Sequence, residues 1–238
     1  MLERMIDRDQ AVIVAADVTT IAELENLVAQ TCDVEGIEGY KIGLALGLTY
    51  GIEKVVTTIR SHTNLPVIYD HQKAATDIPE MGPTFAKVVV NGGVNAAILF
   101  PFGGGLTERT WIEACRSAEL VVLVGGHMTQ REFLENEGGF IADDAPERIY
   151  TQAANHGITN FVVPGNKVEF VEKYRRLLED ILGANNFALW APGFISQKGE
   201  ITEFAKKASP VWRAIVGSAI YKAKDINKAA KMITAGIV

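Results

Sequence analysis

Three ionisable side chains, Asp70, Lys73 and Asp77, stand within eight residues in the stretch Pro66 to Pro79. They follow Val67-Ile68-Tyr69, a β-branched and aromatic run that reads as a buried strand. An ion buried without a partner costs several kcal/mol, so these charges must pair or face a cleft. Carboxylates on either side of an ammonium hold a lysine charged and fixed, as a proton donor at a strand end requires. Asp-x-x-Lys alone equally describes a surface ion pair at a helix start, so the surrounding elements decide the reading.

Those elements alternate regularly. Strands are expected at 11–16, 38–43, 67–69, 94–100, 119–124, 159–163, 187–190 and 212–216. Helices are expected between and after them, over 47–60, 84–91, 109–118, 146–156, 168–182, 201–208 and 225–235, with one more after Asp17. Thr19 or Thr20 caps that first helix, and Glu23 stands near the capping-box position. The polar, glycine-containing segment 130–144 reads as a mobile loop. Eight strand–helix units imply right-handed parallel crossovers, and eight of them in 238 residues predict a single (β/α)8 barrel domain over 1–238. An open doubly wound sheet is the other arrangement such a pattern permits.

In a (β/α)8 barrel the C-terminal ends of the strands form the site. Asp17, Lys41, Asp70 and Lys73 all fall there, at the ends of the first three strands. The turns after strands seven and eight are where such barrels hold phosphate on backbone N–H groups. They contain Pro192, Gly193, Gln197, Gly217 and Ser218. A phosphate grip facing an Asp/Lys cluster suits a small phosphorylated metabolite, turned over by fixed charges and one lysine proton.

Composition removes other classes. A net charge of −6 and the lack of a Lys/Arg run argue against nucleic acid as a partner. Cys32 and Cys115 lie far apart, with no CxxC and no clustered histidine, so neither a metal site nor a cofactor is expected. With no signal-like start and no apolar run of membrane-spanning length, a cytoplasmic protein without membrane attachment is expected.

Six motifs, in order along nearly the whole chain, resemble orotidine 5′-phosphate decarboxylases, the archaeal branch above all. They are Ala15-Ala16-Asp17, Tyr40-Lys41-Ile42-Gly43, the Asp70–Pro79 run, Asn160 to Pro164, Ala191-Pro192-Gly193 with Gln197, and Ile215-Val216-Gly217 with Ile220-Tyr221. The resemblance implies loss of CO2 from orotidine monophosphate to give uridine monophosphate, in pyrimidine biosynthesis, without cofactor or metal. By the same resemblance Lys73 protonates C6, Asp70 sits beside the substrate carboxylate, Lys41 supports the charge network and Asp17 binds ribose hydroxyls. Thr129 matches a pyrimidine-reading serine and Gln197 contacts phosphate. Asp77 would come from a second subunit, which implies a homodimer.

The chain departs from the family at three points. The family spacing is Asp-x-Lys-x-x-Asp, whereas here each gap is one residue longer. A bulge or a tighter turn after strand three would absorb the difference. Ser218 replaces a phosphate-clamping arginine, with Lys198 a candidate substitute, and Met81 stands where a threonine is usual. Two further functions therefore stay open. One is a Mg2+-dependent sibling acting on a sugar phosphate, such as a keto-hexonate phosphate decarboxylase or a hexulose phosphate synthase. The other is a non-catalytic nucleotide-phosphate binder.

Overall fold

The computed structural model describes residues 1–71, 74–194 and 198–237, with side chains from 201 onward in the last range. Eight parallel strands close a barrel in chain order. They are β1 Gln10–Ala15, β2 Ile37–Gly43, β3 Val67–Asp70, β4 Ala96–Leu99, β5 Val121–Gly125, β6 Asn160–Val162, β7 Ala188–Ala191 and β8 Trp212–Val216. Closure comes from β1, which pairs with β2 on one edge and β8 on the other. The strands are near-continuous apolar runs because both faces are covered, by the barrel interior and by helices.

The helices are α1 Ile21–Thr31, α2 Leu44–Tyr50, α3 Ile52–Arg60, α4 Gly82–Asn91, α5 Gly105–Ser117, α6 Ala145–Asn155, α7 Val168–Leu182, α8 Lys198–Lys207, α9 Ser218–Tyr221 and α10 Ile226–Thr234. The expected capping box forms on α1. Thr20 Oγ1 accepts from the Glu23 amide at 3.2 Å, and the Glu23 carboxylate accepts from the Thr20 amide at 3.0 Å. The helix read over 47–60 is two helices. Gly51 has φ of +79° and breaks it, and α2 starts directly after Gly43. Segment 130–144 is also more ordered than read, with a 3-10 turn at Glu135–Glu137 and a bridge between Leu134 and Ile141.

Strand alternation sorts the core into two clusters. Val12, Val14, Tyr40, Ile42 and Tyr69 point outward to the helices. Ile13, Ala15, Ile68, Ile98, Leu123, Trp190 and Ile215 fill the interior. The N-terminal segment closes the floor. There the buried Arg213 donates to the carbonyls of Asp9 at 2.6 Å and Ile6 at 3.3 Å. The guanidinium lies 5.8 Å from the centre of the Trp190 ring. The three tryptophans are core residues, as expected. No helix among the described residues is long and apolar enough to cross a membrane.

Candidate active site

Alternation also delivers the charges. Ile13 and Ala15 face the interior, so Asp17, two residues further on, continues that face at the mouth. On β2, Tyr40 and Ile42 point outward and leave Lys41 facing in. On β3, Tyr69 points outward and Asp70 faces in. Lys41 pairs in register with Ala15 on one side and Ile68 on the other, which fixes its height in the barrel. Its Nζ lies 3.0 Å from Asp17 Oδ1 and 3.4 Å from Asp70 Oδ2. Burial opposes the charge on Lys41, but Asp70 and Asp17 outweigh it and hold its pKa above the ordinary lysine value.

Gly43 makes room for this cluster. A methyl group there would stand 2.9 Å from the Asp70 carbonyl oxygen and 3.9 Å from Lys41 Nζ. β2 and β3 stay in even register up to Gly43 and Asp70, and a turn stands at residues 74–75. Ala75 takes φ of +65° within that turn. Three bonds fasten it to the neighbouring segments: the Phe100 amide to Ala74 O at 2.8 Å, Thr76 Oγ1 to Phe100 O at 2.8 Å, and Thr107 Oγ1 to Asp77 O at 3.0 Å. Lys73 and Gln197 lie outside the described residues, as does the Lys198 side chain.

A cavity of about 1020 Å3 opens over the cluster. Asp17, Lys41, Asp70, His71 and Thr76 form its polar side, and Leu44, Leu48, Phe102, Met128 and Phe133 its apolar side. Thr129, Pro192, Gly193, Gly217 and Ser218 follow β5, β7 and β8 at the same end of the barrel, but none of them is among the residues that line this cavity. Asp77 is exposed and accepts from the Ile78 amide at 2.7 Å. It takes no part in the lining of its own cavity. Arg213 is no substitute for the missing clamp, because it is committed to the opposite end of the barrel.

Several site residues escape sequence reasoning. Phe102 and Phe133 pack with ring centres 5.6 Å apart, although each sits in a glycine-bearing loop that reads as polar. Tyr69, assigned to the core, also bonds His71 Nδ1 through its hydroxyl at 2.5 Å. Burial and the nearby Asp70 raise the Tyr69 pKa, so the phenol stays protonated and donates. His71 then carries its own proton on Nε2 when neutral. Among the described residues, no group of three or more His, Cys, Asp or Glu side chains is placed to hold a metal.

A profile of the Orotidine 5'-phosphate decarboxylase / HUMPS family matches residues 10–233. The chain belongs to this family. It is 27% identical over 226 residues to an orotidine 5'-phosphate decarboxylase of Methanosarcina mazei, covering 94% of each chain. It is 28% identical over 238 residues to the Methanosarcina barkeri protein of that name, covering 97% of this chain and 90% of the other. Two solved structures share the fold. That of orotidine 5'-phosphate decarboxylase from Pyrococcus horikoshii OT3 has a TM-score of 0.79 at 23% identity, covering 95% of this chain and 98% of the other. That of the Methanocaldococcus jannaschii enzyme complexed with the inhibitor BMP has a TM-score of 0.81 at 20% identity, covering 96% and 98%. Membership assigns the chain to a family of enzymes and accounts for the barrel and the order of the six motifs together.

Proposed function

We propose that this chain decarboxylates orotidine 5′-phosphate to uridine 5′-phosphate, within pyrimidine biosynthesis. The observation that carries the reading is the Asp17–Lys41–Asp70 cluster at the barrel mouth, in a chain of this family. The reaction breaks the bond between C6 and the carboxyl carbon. The bonding electron pair stays on C6, CO2 leaves, and a proton is delivered to C6. In this reading Asp70 lies beside the departing carboxylate. Lys41, charged and bonded to two carboxylates, fixes the electrostatic field with little reorganisation during the reaction. Lys73 supplies the proton, an assignment that rests on its place in the sequence motif.

Asp17 holds the ribose hydroxyls from its half-exposed position at the rim. Thr129 belongs to the base end of the ligand. Pro192, Gly193, Gln197, Gly217 and Ser218 belong to the phosphate end, where backbone N–H groups and a hydroxyl replace a guanidinium. The working unit is a homodimer in which Asp77 completes the neighbouring site. Support comes from the exposure of Asp77 outside the lining of its own cavity, and from the exposed apolar side chains of Leu44 and Leu48 on that lining and of Ile78 and Met81 close to Asp77 in the chain.

The test follows the ultraviolet absorbance of orotidine 5′-phosphate with purified protein, before and after chelation. Turnover indifferent to chelator and lost in Lys73→Ala is the expected result. Absence of turnover, or full activity in Lys73→Ala, would refute the reading. Turnover of a hexulose phosphate that a chelator abolishes would assign the chain to the other branch in the family's name. Tight binding of uridine monophosphate without turnover would mark a binder.

A further inference from the structure

The loop after β5 contributes Met128, Gln130 and Phe133 to the cavity. Such a loop has many conformations to lose, so something must hold those side chains in place. Two fastenings reach it from the turn after β6. Asn166 Nδ2 donates to the Thr129 carbonyl at 3.0 Å. Lys167 Nζ donates to both oxygens of the Glu137 carboxylate, at 2.8 and 2.9 Å. Gly193, with φ of +107°, lets the turn after β7 join the contact, since a methyl group there would meet Asn166 Oδ1 and Thr129 Cγ2 at 3.1 Å.

Lys167 also reaches His127 Nε2 at 2.9 Å. An ammonium only donates, so Nε2 accepts, and the neutral ring carries its proton on Nδ1. That proton is donated to Tyr174 Oη at 2.8 Å, on α7. The His127 ring stacks on Phe133 at 5.3 Å with an interplanar angle of 18°, and Phe170 meets it edge-on at 4.6 Å. Glu137 in turn accepts from the Phe133 amide at 3.2 Å. Phe133, a wall of the cavity, is thus held by its backbone through Glu137 and by its ring through His127, besides its contacts with Phe102 and the Ile141 amide. Both holds meet at Lys167. The ammonium stands at the N-terminal end of α7, where the helix dipole disfavours a cation. Local helix energetics therefore do not account for a lysine there, whereas the loop contact does.

We propose that Lys167 is a positioning residue for the ligand of this cavity, joining Glu137 to His127 so that Phe133 and Met128 stand ready as the apolar wall against which the ligand packs. The proposal rests on the nucleotide reading for its choice of ligand, while the fastening of the loop is independent of that choice. Wall residues held in advance spare the ligand the cost of ordering them, so their release weakens binding more than chemistry.

Two measurements test this on Lys167→Met, Lys167→Arg and Glu137→Gln in the full-length protein. The first is amide hydrogen exchange of residues 128–141 without ligand. Exchange there is expected to rise in Lys167→Met and Glu137→Gln and to return towards wild type in Lys167→Arg. The second is steady-state kinetics with orotidine 5′-phosphate. KM is expected to rise about tenfold in Lys167→Met, the loss of one charge-assisted hydrogen bond, with kcat within about threefold of wild type. The double variant of Lys167→Met and Glu137→Gln should lose no more than the worse single one. Unchanged exchange overturns the fastening, and raised exchange with unchanged KM overturns the positioning role. Should Lys167→Met fail to fold, Glu137→Gln alone carries both arms. A wild type inactive on orotidine 5′-phosphate would refute the decarboxylase reading instead, and the exchange arm would still decide the fastening.

Discussion

Glu108 offers a sharp test of the structure because its carboxyl is buried against its own chemistry. It lies in the first turn of α5, only 3% exposed. One oxygen accepts from Gln152 Nε2 at 2.5 Å, and the other has no hydrogen-bond partner among the described residues. Burial raises its pKa from 4.5 to about 8, against smaller opposing effects of Gln152 and Arg109. The fold therefore favours the protonated form, while the unfolded chain ionises from pH 4.5 upward. Stability linked to this group is fully present below 4.5 and is lost as pH rises to about 8. At 1.36 kcal/mol per pH unit, the loss reaches about 3 kcal/mol by pH 7 and about 5 kcal/mol above pH 8. Glu108→Gln removes this slope. Its amide oxygen keeps an acceptor for Gln152 and its NH2 takes the place of the oxygen without a partner, a pH-independent cost of about 1–3 kcal/mol for each unpaired N–H. Chemical denaturation of both proteins from pH 4 to 9 is the assay, and titrations common to both cancel in the difference. The variant should gain on wild type by about 3 kcal/mol between pH 4.5 and 7, then level off beyond pH 8. A difference constant to within about 1 kcal/mol over that range would show that Glu108 is not held protonated.

Four further outcomes follow from the site. Lys41→Met removes the cation that Asp17 and Asp70 share, and kcat/KM with orotidine 5′-phosphate should fall at least about a hundredfold, with about 3–5 kcal/mol lost in denaturant titration. Gly43→Ala keeps an ordinary backbone geometry but places a methyl 2.9 Å from Asp70 O, so activity should drop about tenfold or more while stability falls by about 1–3 kcal/mol. Lys73→Ala and Asp77→Ala, each inactive alone, should recover about a quarter of wild-type activity when unfolded and refolded together, because half of the dimers would carry one intact site. Recovery of nothing would argue that Asp77 serves its own subunit. Tyr69→Phe frees His71 Nδ1, and a pH–rate profile that changes shape would place His71 among the groups that touch substrate.

The barrel was legible from local pattern because strand and helix periods are local properties. Val12 to Ala15 and Trp212 to Val216 read as strands from their own residue types, and both are strands. Gly51 was the one available signal that 47–60 would break, and the apolar stripe across it concealed the break. The Asp/Lys cluster was legible because alternation along β1, β2 and β3 converts spacing into direction. The apolar side of the cavity was not. Phe102 and Phe133 come from loops separated by β5, and nothing in either loop names the other.

The sequence by itself determined eight strand–helix units, the mouth at which Asp17, Lys41 and Asp70 gather, and the family pattern that connects them. Only the tertiary structure decided that Ala74 and Thr76 are bonded to the segment that follows β4, and that Asp77 is exposed outside the lining of its own cavity. It alone brought Lys167 to Glu137 and His127 across the crossover of α6 and β6. The physical reason is range. Periodicity fixes where a side chain points within one element, whereas a contact between loops depends on how closed neighbouring strands bring their ends together.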